Sequence, residues 1–172
     1  DYMGALKAVS YLIERGCRGI AYYGPSHNME IGKNRFNGYK DALYKNGLKF
    51  DESLVKMCDT RAEAENITPQ MLRLENRPDA IFAVNDETAI GALYAAKHMG
   101  FNVPEDLSIC GFTNDYGATA CDPQLTTVEQ RGIEVGREAV EILTGLVEGT
   151  LQRGKAEKRI VKTRLVVRGT TR

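Results

Sequence analysis

The segment from Pro78 to Asn114 constrains this chain more than any other. Ala80-Ile81-Phe82-Ala83-Val84 is short and apolar without polar alternation, the pattern of a strand buried on both faces of a parallel sheet. It stops at Asn85-Asp86, whose side chains can accept from the free backbone N–H groups of a starting helix. Ala89, Ile90, Leu93, Tyr94 and Lys97 then recur at helical spacing. Gly100 ends the helix, and after Asn102-Val103-Pro104-Glu105 a second apolar run, Leu107 to Phe112, predicts the next parallel strand. The segment is one βαβ unit.

In an open sheet of such units a ligand sits outside the carboxyl ends of the strands, so Asn85, Asp86, Thr113 and Asn114 share one rim. Each also has a local explanation. Asn-Asp before a helix is a cap, and Thr-Asn after a strand is turn chemistry.

The flanking sequence repeats the alternation. Ala5, Ala8, Val9, Leu12 and Ile13 form the stripe of a helix over 4–15 that stops at Gly16, and Ile20 to Tyr23 follows as a strand. Gly24 to Gly32 has loop composition. Lys33-Asn34-Arg35 leads into a helix with Phe36, Tyr39, Ala42 and Leu43 inward. This places Arg35 in a first turn, where the helix dipole mildly disfavours a cation. Leu54 to Cys58 predicts a short strand ending at Asp59-Thr60, and 62–74 a helix that Pro69 must start or kink. Asp115 to Pro123 has no period and predicts a loop over the rim. Leu125 to Gln130 is extended, 133–147 is helical, and Ile160-Val161 with Leu165-Val166-Val167 makes two short strands or one bent one. The fold class is α/β, with an open, mostly parallel, doubly wound sheet.

Lys plus Arg and Asp plus Glu number 23 each. A net charge of zero argues against this stretch itself gripping nucleic acid. Arg153, Lys155, Lys158, Arg159, Lys162, Arg164, Arg168 and Arg172 gather near the end against Glu157 alone. They are either a weak anion-binding surface or the solvated face of edge strands. No apolar run is long enough to span a membrane. The start at Asp1 is neither a signal peptide nor an ordinary first residue, so a soluble piece of a longer protein is expected. Cys17, Cys58, Cys110 and Cys121 lack a paired spacing, which suits reduced thiols in the cytoplasm.

His27 and His98 have no ligands at metal spacing, and phosphate-binding, dinucleotide and nucleophile-elbow motifs are missing; we expect no metal, no cofactor and no enzyme. Asp86 and Asp115 could pair as carboxylates at the rim. The rim's Asn, Thr, Gln and Arg groups suit a hydroxyl- or amide-rich small molecule.

Several motifs in order, Arg35-Phe36-Asn37-Gly38-Tyr39, Pro78 to Asp86, Ala89-Ile90-Gly91-Ala92-Leu93, Val103-Pro104-Glu105-Asp106-Leu107, Gly111-Phe112, Leu125 to Gln130 and Leu165 to Thr171, give a chain that resembles the LacI/GalR family of ligand-responsive bacterial transcription regulators. The resemblance implies a periplasmic-binding-protein-like lobe. Residues 1–128 would be its C-terminal lobe, 129–163 a segment of the N-terminal lobe, and 164–172 a return to the C-terminal lobe. It further implies a sugar-like effector between the lobes, operator DNA met through a headpiece outside this sequence, and a homodimer. Arg35 takes the place of the family's ligand-binding arginine, whose fork can hold two oxygens. Asn85 matches a sugar-contacting position, and Gln130 lies at the lobe crossing. Two departures stand out: Thr113-Asn114 replaces a frequent acid, and Thr60 a frequent stacking ring. The resemblance also extends to a lobe of a sugar-binding transport protein, and an enzyme on the same sheet is a third reading. The helix over 133–147 should carry an apolar stripe for the other lobe, so self-association of this chain alone is expected.

Overall fold

The computed structural model describes residues 1–25, 29–152 and 154–172; Ser26, His27 and Asn28 of the expected loop and Arg153 of the basic tail lie outside them. Strands β1 (Ile20–Gly24), β2 (Val55–Met57), β3 (Ala80–Ala83), β4 (Ser108–Thr113), β5 (Thr126–Glu129) and β6 (Arg164–Val166) form one sheet in the order β2-β1-β3-β4-β5-β6. The first five are parallel, and β6 returns antiparallel to β5.

Helices α1 (Tyr2–Glu14), α2 (Glu30–Lys45), α3 (Arg61–Leu72), α4 (Asp86–His98), α5 (Tyr116–Ala120) and α6 (Gly132–Val147) alternate with the strands. Side chains of successive strand residues point to opposite faces, so one strand feeds two cores. Tyr22, Phe82 and Phe112 pack with α1 and α2 around Leu12 and Tyr39. Tyr23, Ile81 and Ile109 pack with α3 and α4 around Met71 and Leu93. Burial on both faces explains why β1 and β3 carry no polar alternation.

Two helix pairs approach closely over glycine. A Cβ on Gly38 of α2 would lie 2.4 Å from the Tyr2 carbonyl of α1, and one on Gly91 of α4 would lie 2.4 Å from the Arg61 carbonyl of α3.

Several expectations are corrected. α2 begins at Glu30, three residues before the expected Lys33, so Arg35 lies beyond the first turn and the dipole argument does not bear on it. Pro69 sits well inside α3 rather than at its start. The expected loop after Asn114 contains α5, capped by Asp115, whose side chain accepts from Ala118 N–H. Ile160-Val161 forms no strand, and Ile160 is exposed. β6 takes the open side of β5, and Ile160-Val161 pairs with neither that strand nor the other edge of the sheet.

Residues 168–172 close the structure. Ile109 N–H donates to the Thr170 carbonyl at 2.7 Å, the Thr170 hydroxyl donates to the Ile109 carbonyl at 2.7 Å, and Thr126 N–H donates to that hydroxyl at 2.9 Å. Thr170 thus serves as a missing neighbour for buried backbone of β4 and β5, while the Thr171 hydroxyl meets that of Thr126 at 2.9 Å. Among the described residues no helix is long and apolar enough to cross a membrane.

Candidate functional site

The carboxyl ends of β1 to β5 define a rim. β3 leads to Asn85 and Asp86, β4 ends at Thr113 with Asn114 next, and β5 ends at Glu129 with Gln130 next. Pairing sets Thr113 beside Glu129. The sheet therefore brings together five of the residues expected at the site, and Arg35 reaches the same place from α2.

Arg35 is 6% exposed. Its Nε and one terminal nitrogen donate to Asp1 Oδ1 at 2.9 and 2.7 Å, its other terminal nitrogen donates to the Val84 carbonyl at the end of β3, and its guanidinium lies 3.8 Å from the centre of the Phe112 ring. Burial pushes its pKa down to about 10, with Tyr22 and Asp86 opposing, so it stays charged near neutral pH. The fork expected to hold ligand oxygens is thus filled by the carboxylate of Asp1.

Asn85 is half-buried and caps α4. Its Oδ1 accepts from Thr88 N–H at 2.8 Å, and its Nδ2 donates to the Asp59 carbonyl at 2.8 Å. It fixes the start of α4 against the end of the neighbouring crossover. Its capping role is therefore present, and one amide N–H of Nδ2 is left over from these two bonds.

Asp86 does not lie on the rim surface. It is fully buried, with Oδ1 accepting from the Thr127 hydroxyl at 2.5 Å and Oδ2 from Asp115 N–H at 2.9 Å. Burial pushes its pKa above the ordinary carboxylate value, opposed by the Thr127 and Asp115 hydrogen bonds. Asp86 and Asp115 are joined through a backbone amide rather than as a carboxylate pair.

Thr113 and Asn114 turn the corner with φ of 134° and 63°. Positive φ at a β-branched residue is rare, and strain of this kind costs about 1–3 kcal/mol per residue unless surrounding structure holds it. Here it is held. Asn114 Oδ1 accepts from Arg168 at 2.7 Å, and its Nδ2 donates to Glu129 Oε1 at 3.2 Å. Glu129 in turn accepts from Arg164 at 3.0 Å, so the corner is tied to both strands that lead to and from α6. Gln130 is half-buried at that crossing.

Thr60, expected where relatives place a stacking ring, is the N-cap of α3; its hydroxyl accepts from Glu63 N–H while the Glu63 carboxylate accepts from Thr60 N–H, a reciprocal capping box. Of the basic tail, Arg159 pairs with Glu138 and Glu141 of α6, while Arg164 and Arg168 serve the corner. Asp1, Thr127, Glu129 and Arg168 were not singled out from the sequence as site residues. Only Glu129 had a signal, since pairing the two runs that end at Thr113 and Glu129 sets them side by side. Among the described residues no three metal-ligating side chains come together.

Residues 9–171 match the periplasmic binding protein-like domain family. The chain is similar to the HTH-type transcriptional repressor CytR of Escherichia coli K12, 38% identical over 169 residues that cover 98% of this chain and 49% of that protein. It is similar to a solved regulatory protein of the LacI family from Chloroflexus aggregans, with TM-score 0.91 and 32% identity over 99% of this chain and 61% of that one. It is also similar to the transcriptional regulator CelR solved with cellobiose, with TM-score 0.90 and 30% identity over 98% of this chain and 51% of that one. The chain spans about half the length of the curated relatives it matches.

Proposed function

The chain belongs to the periplasmic-binding-protein-like domain family in its LacI-type regulator branch, and from that premise we propose that it is the effector-sensing part of a transcriptional regulator. It binds a small hydroxyl-rich ligand, a sugar or sugar derivative, in a cleft whose floor is the rim. The observation that carries this is the rim itself. Five parallel strands deliver Asn85, the Thr113–Asn114 corner and Gln130 to one edge above a buried guanidinium, and the strained corner is stabilised from several sides. Among the described residues its groups donate and accept hydrogen bonds and include no activated nucleophile, which favours binding over catalysis. The named relatives are regulators, which favours this reading over a transport lobe.

Residues 1–128 form the sensing lobe, 129–163 belong to a second lobe, and 164–172 return to the first. Support comes from α6, which buries Gly145 alone and exposes Ile133, Val135, Val140, Leu143 and Val147. The second lobe covers that stripe and closes on the ligand, and closure alters operator binding by a helix-turn-helix headpiece outside this chain. A homodimer forms through the face where Tyr94 of α4 and Tyr116 of α5 stand exposed.

The test is calorimetry of the two-lobed protein against monosaccharides, disaccharides, sugar phosphates and nucleosides, with operator binding measured alongside. One ligand should bind, and Arg35→Ala or Asn85→Ala should weaken it by about tenfold or more, the scale of one lost charge-assisted hydrogen bond. Arg35→Ala should leave operator affinity unchanged. Absence of any binding, or full response in Arg35→Ala, overturns the proposal.

A further inference from the structure

The strained corner poses a question that its own side chains do not answer: what holds the backbone of Thr113 and Asn114 at positive φ. The contacts to Arg168 and Glu129 fix the Asn114 side chain. The backbone is gripped from below by Asp86, the fully buried first residue of α4. Its Oδ2 accepts from Asp115 N–H at 2.9 Å, Asn114 N–H is directed at the same carboxylate, and Oδ1 accepts from the Thr127 hydroxyl at 2.5 Å. Successive N–H groups converging on an anion make a nest, a concavity that left-handed residues create. In this case the anion is the protein's own.

Two further features serve the same carboxylate. A Cβ on Gly111 would lie 2.4 Å from Asp86 Oδ1, so glycine in β4 leaves the space into which Asp86 reaches. The N-terminus of the 13-residue α4 places its positive dipole end at Asp86, favouring the ionised acceptor. The carboxylate therefore joins the ends of β3, β4 and β5 at one atom pair beneath the rim.

We propose that Asp86 is the positioning residue of the ligand site, acting with Thr127 to hold the Thr113–Asn114 corner in its left-handed conformation without touching the ligand. The proposal rests on the ligand-binding reading of the rim, and replaces the expectation that Asp86 meets the ligand itself. The corner's shape exists without ligand, so it can be tested apart from that reading.

The experiment compares Asp86→Asn, Thr127→Val and Thr127→Ser by ¹H–¹⁵N NMR of this chain, and by calorimetry of the two-lobed protein against the same sugar, sugar-phosphate and nucleoside panel. Asp86→Asn sets an amide NH₂ among donors, and Thr127→Val removes one donor while keeping the side-chain shape. Both should shift the Asn114 and Asp115 amide signals and speed their hydrogen exchange, with signals from α1, α2 and β1 unmoved. Thr127→Ser, which keeps the hydroxyl, should restore them. Any panel ligand that binds should be weakened by about tenfold or more in the first two variants and bind normally to Thr127→Ser. If Asp86→Asn fails to fold, the threonine pair decides. Native-like Asn114 and Asp115 amides in Thr127→Val, or undiminished ligand binding by a folded Asp86→Asn, overturn the proposal. A panel without any ligand overturns the effector reading instead, and the NMR comparison still decides the corner.

Discussion

Burial pushes the phenols of Tyr22, Tyr23 and Tyr39 above their ordinary value of 10, the Cys58 thiol from 9 up to about 12, and the Cys110 thiol higher still. In each case desolvation is the leading cause, because ionisation inside the core would strand a charge in an apolar setting. A raised folded pKa on an acid means that the native state holds protons which the unfolded chain releases. The stabilisation is complete below the unfolded values of 9 to 10 and is lost as pH rises through the window toward the folded ones. Each group costs about 1.4 kcal/mol per pH unit inside that window, about 3–5 °C of Tm for a chain of this length. Thermal unfolding should therefore be nearly flat from pH 7 to 8.5 and fall steeply from 9 to 11. A flat profile to pH 11 would mean that these groups are not buried as described. At this scale the sequence named Arg35 and Asn85 as site residues and the structure sets both at the rim, but their companions were hidden. Asp1 lies 34 positions from the guanidinium it pairs with and Arg168 lies 54 from Asn114, and no spacing rule reaches across a fold.

Helices and strands were legible where a period or a stop signal was strong. The apolar runs of β1, β3 and β4 and the glycine stops at Gly16, Gly47 and Gly100 read directly, because two-face burial and left-handed caps leave marks in local sequence. α5 was missed since five residues, four of them small, carry no helical period, although Asp115 three before Ala118 is a capping signal. Ile160-Val161 was read as strand from composition, but a strand also needs a neighbour, which composition does not report. Glycine inside α2 yields a prediction at this level. In an ordinary helix interior, replacing glycine by alanine stabilises by about 0.5–1 kcal/mol. At Gly38 the new methyl would lie 2.4 Å from the Tyr2 carbonyl of α1, a rigid neighbour, so Gly38→Ala should destabilise by about 1–3 kcal/mol. Urea unfolding of the variant measures it, and an increase in stability would show that α1 and α2 are not packed this closely.

At the scale of the whole molecule, α6 stands out among the described residues. α6 presents Ile133, Val140, Leu143 and Val147 at exposures of 62% or more, a stripe of the kind that associates in water. Light scattering of this chain alone should show concentration-dependent association beyond a dimer, and Val140→Glu with Leu143→Glu should abolish that further association; a chain that never exceeds a dimer at high concentration without those changes would show that the stripe is inert. That such a face existed was readable from the helical period over 133–147, whereas the grip of Asp86 on the corner was not, because it joins three strands that only the completed sheet sets together. The closing threonines bear on how the chain is made. When synthesis has reached residue 163, all five parallel strands and every helix have been polymerised, yet the Ile109 and Thr126 amides still await the oxygens of Thr170. Loss of Thr170 would therefore leave the starts of β4 and β5 without their shared partner, although that partner stands 61 positions from Ile109.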